Sequence, residues 1–176
     1  MTDTTAARLV EQHTALIPDF PKAGIVFRDL TPVFADGAAF RAVVDELVAP
    51  FAGEIDAVAG VEARGFLLAA AAAYSLGLGT VVIRKPGKLP REVISESYDL
   101  EYGTSSLELQ PADLPAGSRI LLLDDVLATG GTLAAASTLV ERAGWVVAGV
   151  SVVLELDGLG GRDALPGRVI RSISAV

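Results

Sequence analysis

The chain of 176 residues contains no cysteine. A disulfide framework, a zinc–thiolate centre and a cysteine nucleophile are therefore excluded, and the composition fits a cytoplasmic setting. Histidine is almost as scarce: His13 stands alone, without triad or ligand partners, on what reads as a surface helix position. Basic residues are in deficit, with 14 Lys and Arg against 22 Asp and Glu and a formal charge of -8. That sign disfavours nonspecific binding to nucleic acid or to an anionic membrane, so a polyanionic ligand must meet a local basic site. Met1-Thr2-Asp3-Thr4-Thr5 has neither a basic n-region nor an apolar h-region, and no secretory signal is expected. Low-complexity linkers and internal repeats are also missing, which predicts a single domain over residues 1–176.

Phe66 to Ile83 carries no charge between Arg64 and Arg84, so a membrane span has to be weighed. The Ala69–Ala73 run and the break at Gly77-Leu78-Gly79 favour helix, turn and buried strand, and flanking topology signals are lacking. Elsewhere helical and strand patterns alternate. Asp36 is a candidate N-cap for a helix with apolar Phe40, Val43, Val44, Leu47, Val48 and Phe51. Strands are expected over 57–61, 80–84, 105–110, 119–124 and 145–154, helices over 65–76 and 132–143, with 169–176 as a possible last strand. This is the pattern of a doubly wound α/β domain, a mostly parallel sheet flanked by helices. The segment 85–103, rich in charge, proline and glycine, is too long for an ordinary connection and reads as a lid or an insert.

The most informative run is Ile120-Leu121-Leu122-Leu123-Asp124-Asp125-Val126-Leu127-Ala128-Thr129-Gly130-Gly131-Thr132. Its apolar start predicts a central strand covered on both faces, and ligands of open α/β sheets bind at such a strand's C-terminal end. Two glycines free the turn to aim the N–H groups of Ala128 to Thr132 at one anion, with Thr129 and Thr132 adding hydroxyl donors. Asp124 and Asp125 would repel a phosphate beside them. They suit ribose hydroxyls or a hydrated divalent cation instead. The run matches neither the lysine-bearing P-loop nor G-x-G-x-x-G, which removes support for ATP hydrolysis and dinucleotide binding.

This run resembles the signature of the type I phosphoribosyltransferases, and it looks like the version found in the branch that acts on adenine. Three further segments agree in order: Phe20-Pro21-Lys22-Ala23-Gly24-Ile25-Val26-Phe27-Arg28-Asp29, Glu62-Ala63-Arg64-Gly65-Phe66, and Arg84-Lys85-Pro86-Gly87-Lys88-Leu89-Pro90 leading to Ser97-Tyr98-Asp99-Leu100-Glu101-Tyr102-Gly103. The resemblance implies a type I phosphoribosyltransferase fold with a mobile active-site loop over 85–103. It implies transfer from 5-phosphoribosyl 1-diphosphate (PRPP) to N9 of adenine, giving AMP and pyrophosphate, with Mg2+ carried on PRPP and a homodimeric assembly.

It also implies a role for each matched residue. Asp124, Asp125, Ala128, Thr129, Gly130, Gly131 and Thr132 hold the ribose phosphate, with water-mediated Mg2+ contact through the two Asp. Ala63, Arg64, Lys85 and Lys88 meet the pyrophosphate, with a cis peptide implied between Glu62 and Ala63. Phe27 stacks on adenine while the backbone of Val26 and Arg28 reads its edge. Glu101 handles a proton near the base, Arg64 neutralises the leaving group, and Tyr102 shapes the closed lid. Arg91-Glu92-Val93-Ile94 lies in a variable part of the family, so no contacts carry over there. Two alternatives stay open: another purine base (hypoxanthine, guanine or xanthine), and a PRPP-binding regulator. The second is disfavoured because the acidic chain shows no helix-turn-helix extension or basic face.

Overall fold

The computed structural model describes residues 4–100 and 103–176. Helix α1, Thr5–His13, starts where the Thr4 hydroxyl accepts from the Ala7 N–H at 3.1 Å, and His13 falls in its last turn. Strands β1 (Ala15–Pro18) and β2 (Val26–Asp29) form an antiparallel hairpin, after which α2 (Thr31–Ala35) leads into α3 (Gly37–Val48). Asp36 caps α3 as expected, its carboxylate accepting from the Ala39 N–H at 2.8 Å. The helix stops short of Phe51. Pro50 has no N–H to continue the ladder, and Ala49–Phe51 tighten into a 3₁₀ turn that still buries the Phe51 ring.

The remaining elements build the sheet. Strand β3 (Ala57–Val61) comes first, and helix α4 (Gly65–Leu76) with strand β4 (Gly79–Ile83) then accounts for the uncharged stretch as helix, turn and strand. No helix among the described residues is long and apolar enough to cross a membrane. Strands β5 (Ile94–Leu100) and β6 (Gly103–Leu109) come next, then β7 (Arg119–Leu127), α5 (Gly131–Arg142), β8 (Val146–Glu155) and β9 (Ile170–Ala175). The central sheet is parallel throughout, in the order β4-β3-β7-β8-β9.

That order places the second strand of the sheet outside the first and sends the chain back across to β7. The topological switch therefore lies between β3 and β7, where ligands of doubly wound sheets bind. Both faces are covered. Leu121 and Leu123 pack with α3 and α4 residues such as Leu47 and Leu68, while Ile120 and Leu122 pack with α5 residues Leu133 and Leu139. Alternating side chains of one strand thus feed two cores, which is why the run 120–123 shows no polar alternation.

Two expectations need correction. The strand expected at 105–110 is not part of the main sheet: β6 pairs along its length with β5, antiparallel from Ile94↔Leu109 to Leu100↔Gly103, and meets the end of β4 through the bridge Arg84↔Glu108. The segment 85–103 therefore includes a full strand. Ile94 and Tyr98 pack against the α5-side core on an alternating pattern that the charged residues between them disguise. The second correction is that β7 runs beyond residue 124 to Leu127, so both Asp residues lie inside the strand.

Candidate active site

The acid pair sits where β7 loses one neighbour and keeps the other. Pairing with β3 ends at Gly60↔Leu123, whereas pairing with β8 continues through Asp124↔Val152 to Leu127↔Glu155. On the β3 side the vacated edge is taken by the turn 62–65 and the start of α4. That approach depends on Gly65, where a Cβ would lie 2.7 Å from the Leu123 carbonyl oxygen and 3.3 Å from Asp124 Oδ1. The close packing carries Arg64 over the strand end, where its Nε donates to Asp125 Oδ2 in a short ion pair. The Glu62–Ala63 peptide is cis, as the resemblance implied.

Asp124 and Asp125 are not equivalent. Asp125 is 6% exposed and is matched by Arg64; its own N–H donates to Asp124 Oδ1 at 2.9 Å. Burial, then the adjacent negative charge of Asp125, push the Asp124 carboxyl well above the ordinary carboxylate range, with Arg64 opposing. One cation thus stands against two carboxylates. A ligand offering hydroxyl donors, or a cation, would relieve that imbalance.

Beyond the acids the chain turns at Gly130, whose φ of +83° is left-handed, and α5 opens with no side chain capping its first N–H groups. Asp124 and residues 126–133 line a cavity of about 80 Å³ at this turn, with Ala128, Thr129, Gly130, Gly131 and Thr132 all in its wall. It offers first-turn N–H groups and two threonines to one small anion.

Lys85 and Lys88 follow β4 and are exposed. They are tied to the 62–65 turn by Glu62, whose Oε2 accepts from the Lys85 N–H at 2.9 Å and from Arg84 Nε at 3.3 Å, while Arg84 also donates to the Lys88 carbonyl at 3.2 Å. Chiefly the Lys85 amide, then the Arg84 charge, hold the Glu62 carboxyl below its ordinary value. The sequence reading gave this side chain no part; its spacing to Arg84 becomes meaningful only once β3 and β4 pair.

In the β1–β2 hairpin, Phe27 is half-buried and packs edge-on to Phe20 with ring centroids 5.2 Å apart, and Val26 is exposed. Arg28 lines a second cavity, of about 550 Å³, between α1, Leu16, Leu154 and β9; it shares no residue with the cavity at the turn. Asp29, at the end of the hairpin, lies within reach of the Arg64 charge and was given no role from the sequence. Hydrogen bonds from the Thr31 N–H and hydroxyl lower its carboxyl pKa, and the nearby Arg64 charge adds to the effect. Glu101 and Tyr102 lie outside the described residues.

A strand-end acid pair, an anion-sized turn and an arginine meet at the switch point, an arrangement suited to an anionic ligand that carries hydroxyl groups. The chain belongs to the phosphoribosyltransferase family: residues 35–165 match the phosphoribosyl transferase domain. It falls among that family's adenine phosphoribosyltransferases. The enzyme of that name from Arthrobacter sp. strain FB24 is 67% identical over 166 residues, spanning 94% of this chain and 90% of the relative. The crystal structure of adenine phosphoribosyltransferase from Thermoanaerobacter pseudethanolicus superimposes with a TM-score of 0.92 at 44% identity, covering 97% of this chain and 99% of that one. The Saccharomyces cerevisiae enzyme, complexed with an imino-altritol bisphosphate and adenine, gives 0.90 at 37% identity, with coverages of 96% and 98%.

Proposed function

We propose that this chain transfers the 5-phosphoribosyl group of PRPP to N9 of adenine, releasing pyrophosphate and forming AMP. The observation that carries the reading is the convergence of Arg64, Asp124, Asp125 and the 128–132 turn at one strand end. In this reading the turn takes the 5-phosphate and the Asp pair takes the ribose hydroxyls. Arg64, the Ala63 backbone, Lys85 and Lys88 take the diphosphate.

The sugar passes through an oxocarbenium-like state, so the protein's task is to hold the two reactants in line and to neutralise the departing charge. Arg64 is drawn from Asp125 toward the diphosphate as the ribose hydroxyls satisfy that carboxylate. Mg2+ would be carried on PRPP, and Asp124 and Asp125 could meet its hydration shell through water, which suits carboxylates beside a substrate-bound ion. When bound, the ion neutralises diphosphate oxygens.

Phe27 supplies a stacking face for adenine, and the backbone of Val26 and Arg28 offers the acceptor and donor for its edge. Glu101 shares the imidazole proton as N9 attacks, and Tyr102 shapes the closed lid, which excludes water that would hydrolyse PRPP. We place the enzyme in the cytoplasm as a homodimer. The absence of cysteine supports the compartment, and the exposed α4 residues Leu67 and Tyr74, 54% and 91% accessible, support association.

The test is AMP formation by purified chain with PRPP and Mg2+ across a panel of bases. Adenine is expected to exceed hypoxanthine by at least ~10³-fold in kcat/KM, because hypoxanthine presents a carbonyl where a donor is required. Equal use of the two bases refutes the adenine assignment. For the proton role, Glu101→Gln is expected to lower kcat by ~10²- to 10⁴-fold at nearly unchanged PRPP affinity.

A further inference from the structure

The segment after β8 carries no residue of the site just described, yet it packs directly beneath the phosphate turn. Strand β8 ends at Glu155, which is opposite Leu127, the last paired residue before the turn. The Glu155 carboxylate is nearly buried, at 9% residue exposure, and both of its oxygens accept hydrogen bonds. Arg162 Nε and Nη2 donate to its two oxygens at 2.7 Å each, and the Ser172 hydroxyl donates to Oε2 at 2.8 Å. These bonds, the Arg162 one first, hold the carboxyl below its ordinary pKa.

The fork fixes where residue 162 lies, between Gly161 and Ala164, which both meet the turn. A Cβ on Gly161 would lie 2.8 Å from Leu127 Cγ and would also strike the Ala128 carbonyl oxygen. A Cβ on Gly130 would lie 2.8 Å from the Ala164 Cβ. Leu165, 3% exposed, enters the same core as Leu127 and Leu133, and the Leu156 N–H donates to the Leu127 carbonyl at 2.9 Å. Residues 161–165 are thus a floor under residues 127–133.

We propose that the Glu155–Arg162 ion pair is a positioning element of the phosphate turn, holding the 161–165 floor that aims the turn's N–H groups at the 5-phosphate. The inference rests on the assignment of that turn to the 5-phosphate. Neither residue touches substrate. Each acts by preventing relaxation of a backbone whose hydrogen-bond directions set affinity, where a displacement on the order of 1 Å can cost 10²-fold. Losing Arg162 would leave a nearly buried carboxylate without its cation, and its rehydration would pull the floor away.

The experiment is calorimetric binding of AMP, which carries the 5-phosphate, and of Mg2+–pyrophosphate, which does not. Arg162→Gln is expected to weaken AMP by about 10- to 10²-fold and to leave pyrophosphate within about twofold. Arg162→Lys, retaining one charged donor, should fall between. Asp56→Asn, which breaks an ion pair at the opposite end of the strands, should change neither ligand, and so controls for general destabilisation. If Arg162→Gln does not fold, Ser172→Ala, which removes one hydrogen bond to Glu155, should show the same selective loss on a smaller scale. Unchanged AMP binding in the folded variants, or an equal loss for both ligands, overturns the proposal. Wild-type chain that binds pyrophosphate but not AMP overturns the phosphate-turn assignment and this inference with it.

Discussion

The two ends of the central sheet use the same residue types to opposite ends. Where β3 and β7 begin, Asp56 faces Arg119: its Oδ2 accepts from the Arg119 N–H at 2.8 Å and from Nε at 3.0 Å, and Oδ1 accepts from Nη2 at 2.8 Å. These bonds lower the Asp56 carboxyl to about 2. Where the same strands finish, Arg64 faces two carboxylates and satisfies one of them, while the Asp124 pKa is raised. One end has a closed account of charge; the other has an acid in surplus. An arrangement that is unfavourable in the free protein and relieved by a ligand is the physical mark of a binding site. A balanced ion pair needs nothing further.

The comparison breaks most visibly if the arginines are removed one at a time. Arg64→Gln is expected to lower kcat/KM for PRPP by ~10²- to 10³-fold, the usual cost of deleting one charge-stabilising donor, and Arg119→Gln to leave it within about twofold. Steady-state kinetics at a temperature where both variants are folded decides the matter.

The glycines sharpen it next. Gly130 and Gly117 both have positive φ, at +83° and +82°, yet a Cβ meets the 161–164 floor at the first and open space at the second. Gly130→Ala should raise KM for PRPP by about 10- to 10²-fold through displacement of the turn. Gly117→Ala should cost only the left-handed backbone term, about 1 kcal/mol, read as a fall in Tm of about 2–4 °C with unchanged KM.

Stability against pH gives smaller effects of opposite sign. A raised folded pKa means that Asp124 favours the fold while protonated, and that this contribution is lost as pH rises through the folded value. Asp124→Asn should therefore melt progressively higher than wild type as pH increases, by about 2–4 °C for each kcal/mol of relieved charge, even as activity falls. Asp56 has the depressed pKa. Its contribution is present above the unfolded value of 3.8 and is lost as pH falls toward about 2. Asp56→Asn should lower Tm at neutral pH, with the difference from wild type closing across that acid window in thermal melts.

Much of the functional end was legible because its signals are local. The apolar run 120–123, the acid pair and the Gly-Gly turn are contiguous, and the Asp36 cap lies three residues from the N–H it receives. The β5–β6 hairpin was only half seen: its strands carry Glu96, Asp99 and Glu108, and the alternation of Ile94 and Tyr98 gains meaning only against α5. Arg142 shows the same dependence on tertiary placement, since it donates to the Ser95 carbonyl and Glu96 carboxylate at 2.7 Å across the chain. The floor under the turn was illegible for a related reason. Gly158 to Leu165 reads as a glycine-rich loop, and its role depends on Glu155 and Leu127 being opposite one another in the sheet.

The most direct test of an acid surplus built for substrate is AMP formation by the double variant Asp124→Ala/Asp125→Ala beside the wild type, with melting temperature recorded for both. Loss of two charge-assisted hydrogen bonds predicts a fall in kcat/KM for PRPP of ~10²-fold or more in a chain that still melts cooperatively. AMP formation at the wild-type rate by the folded double variant would contradict the account.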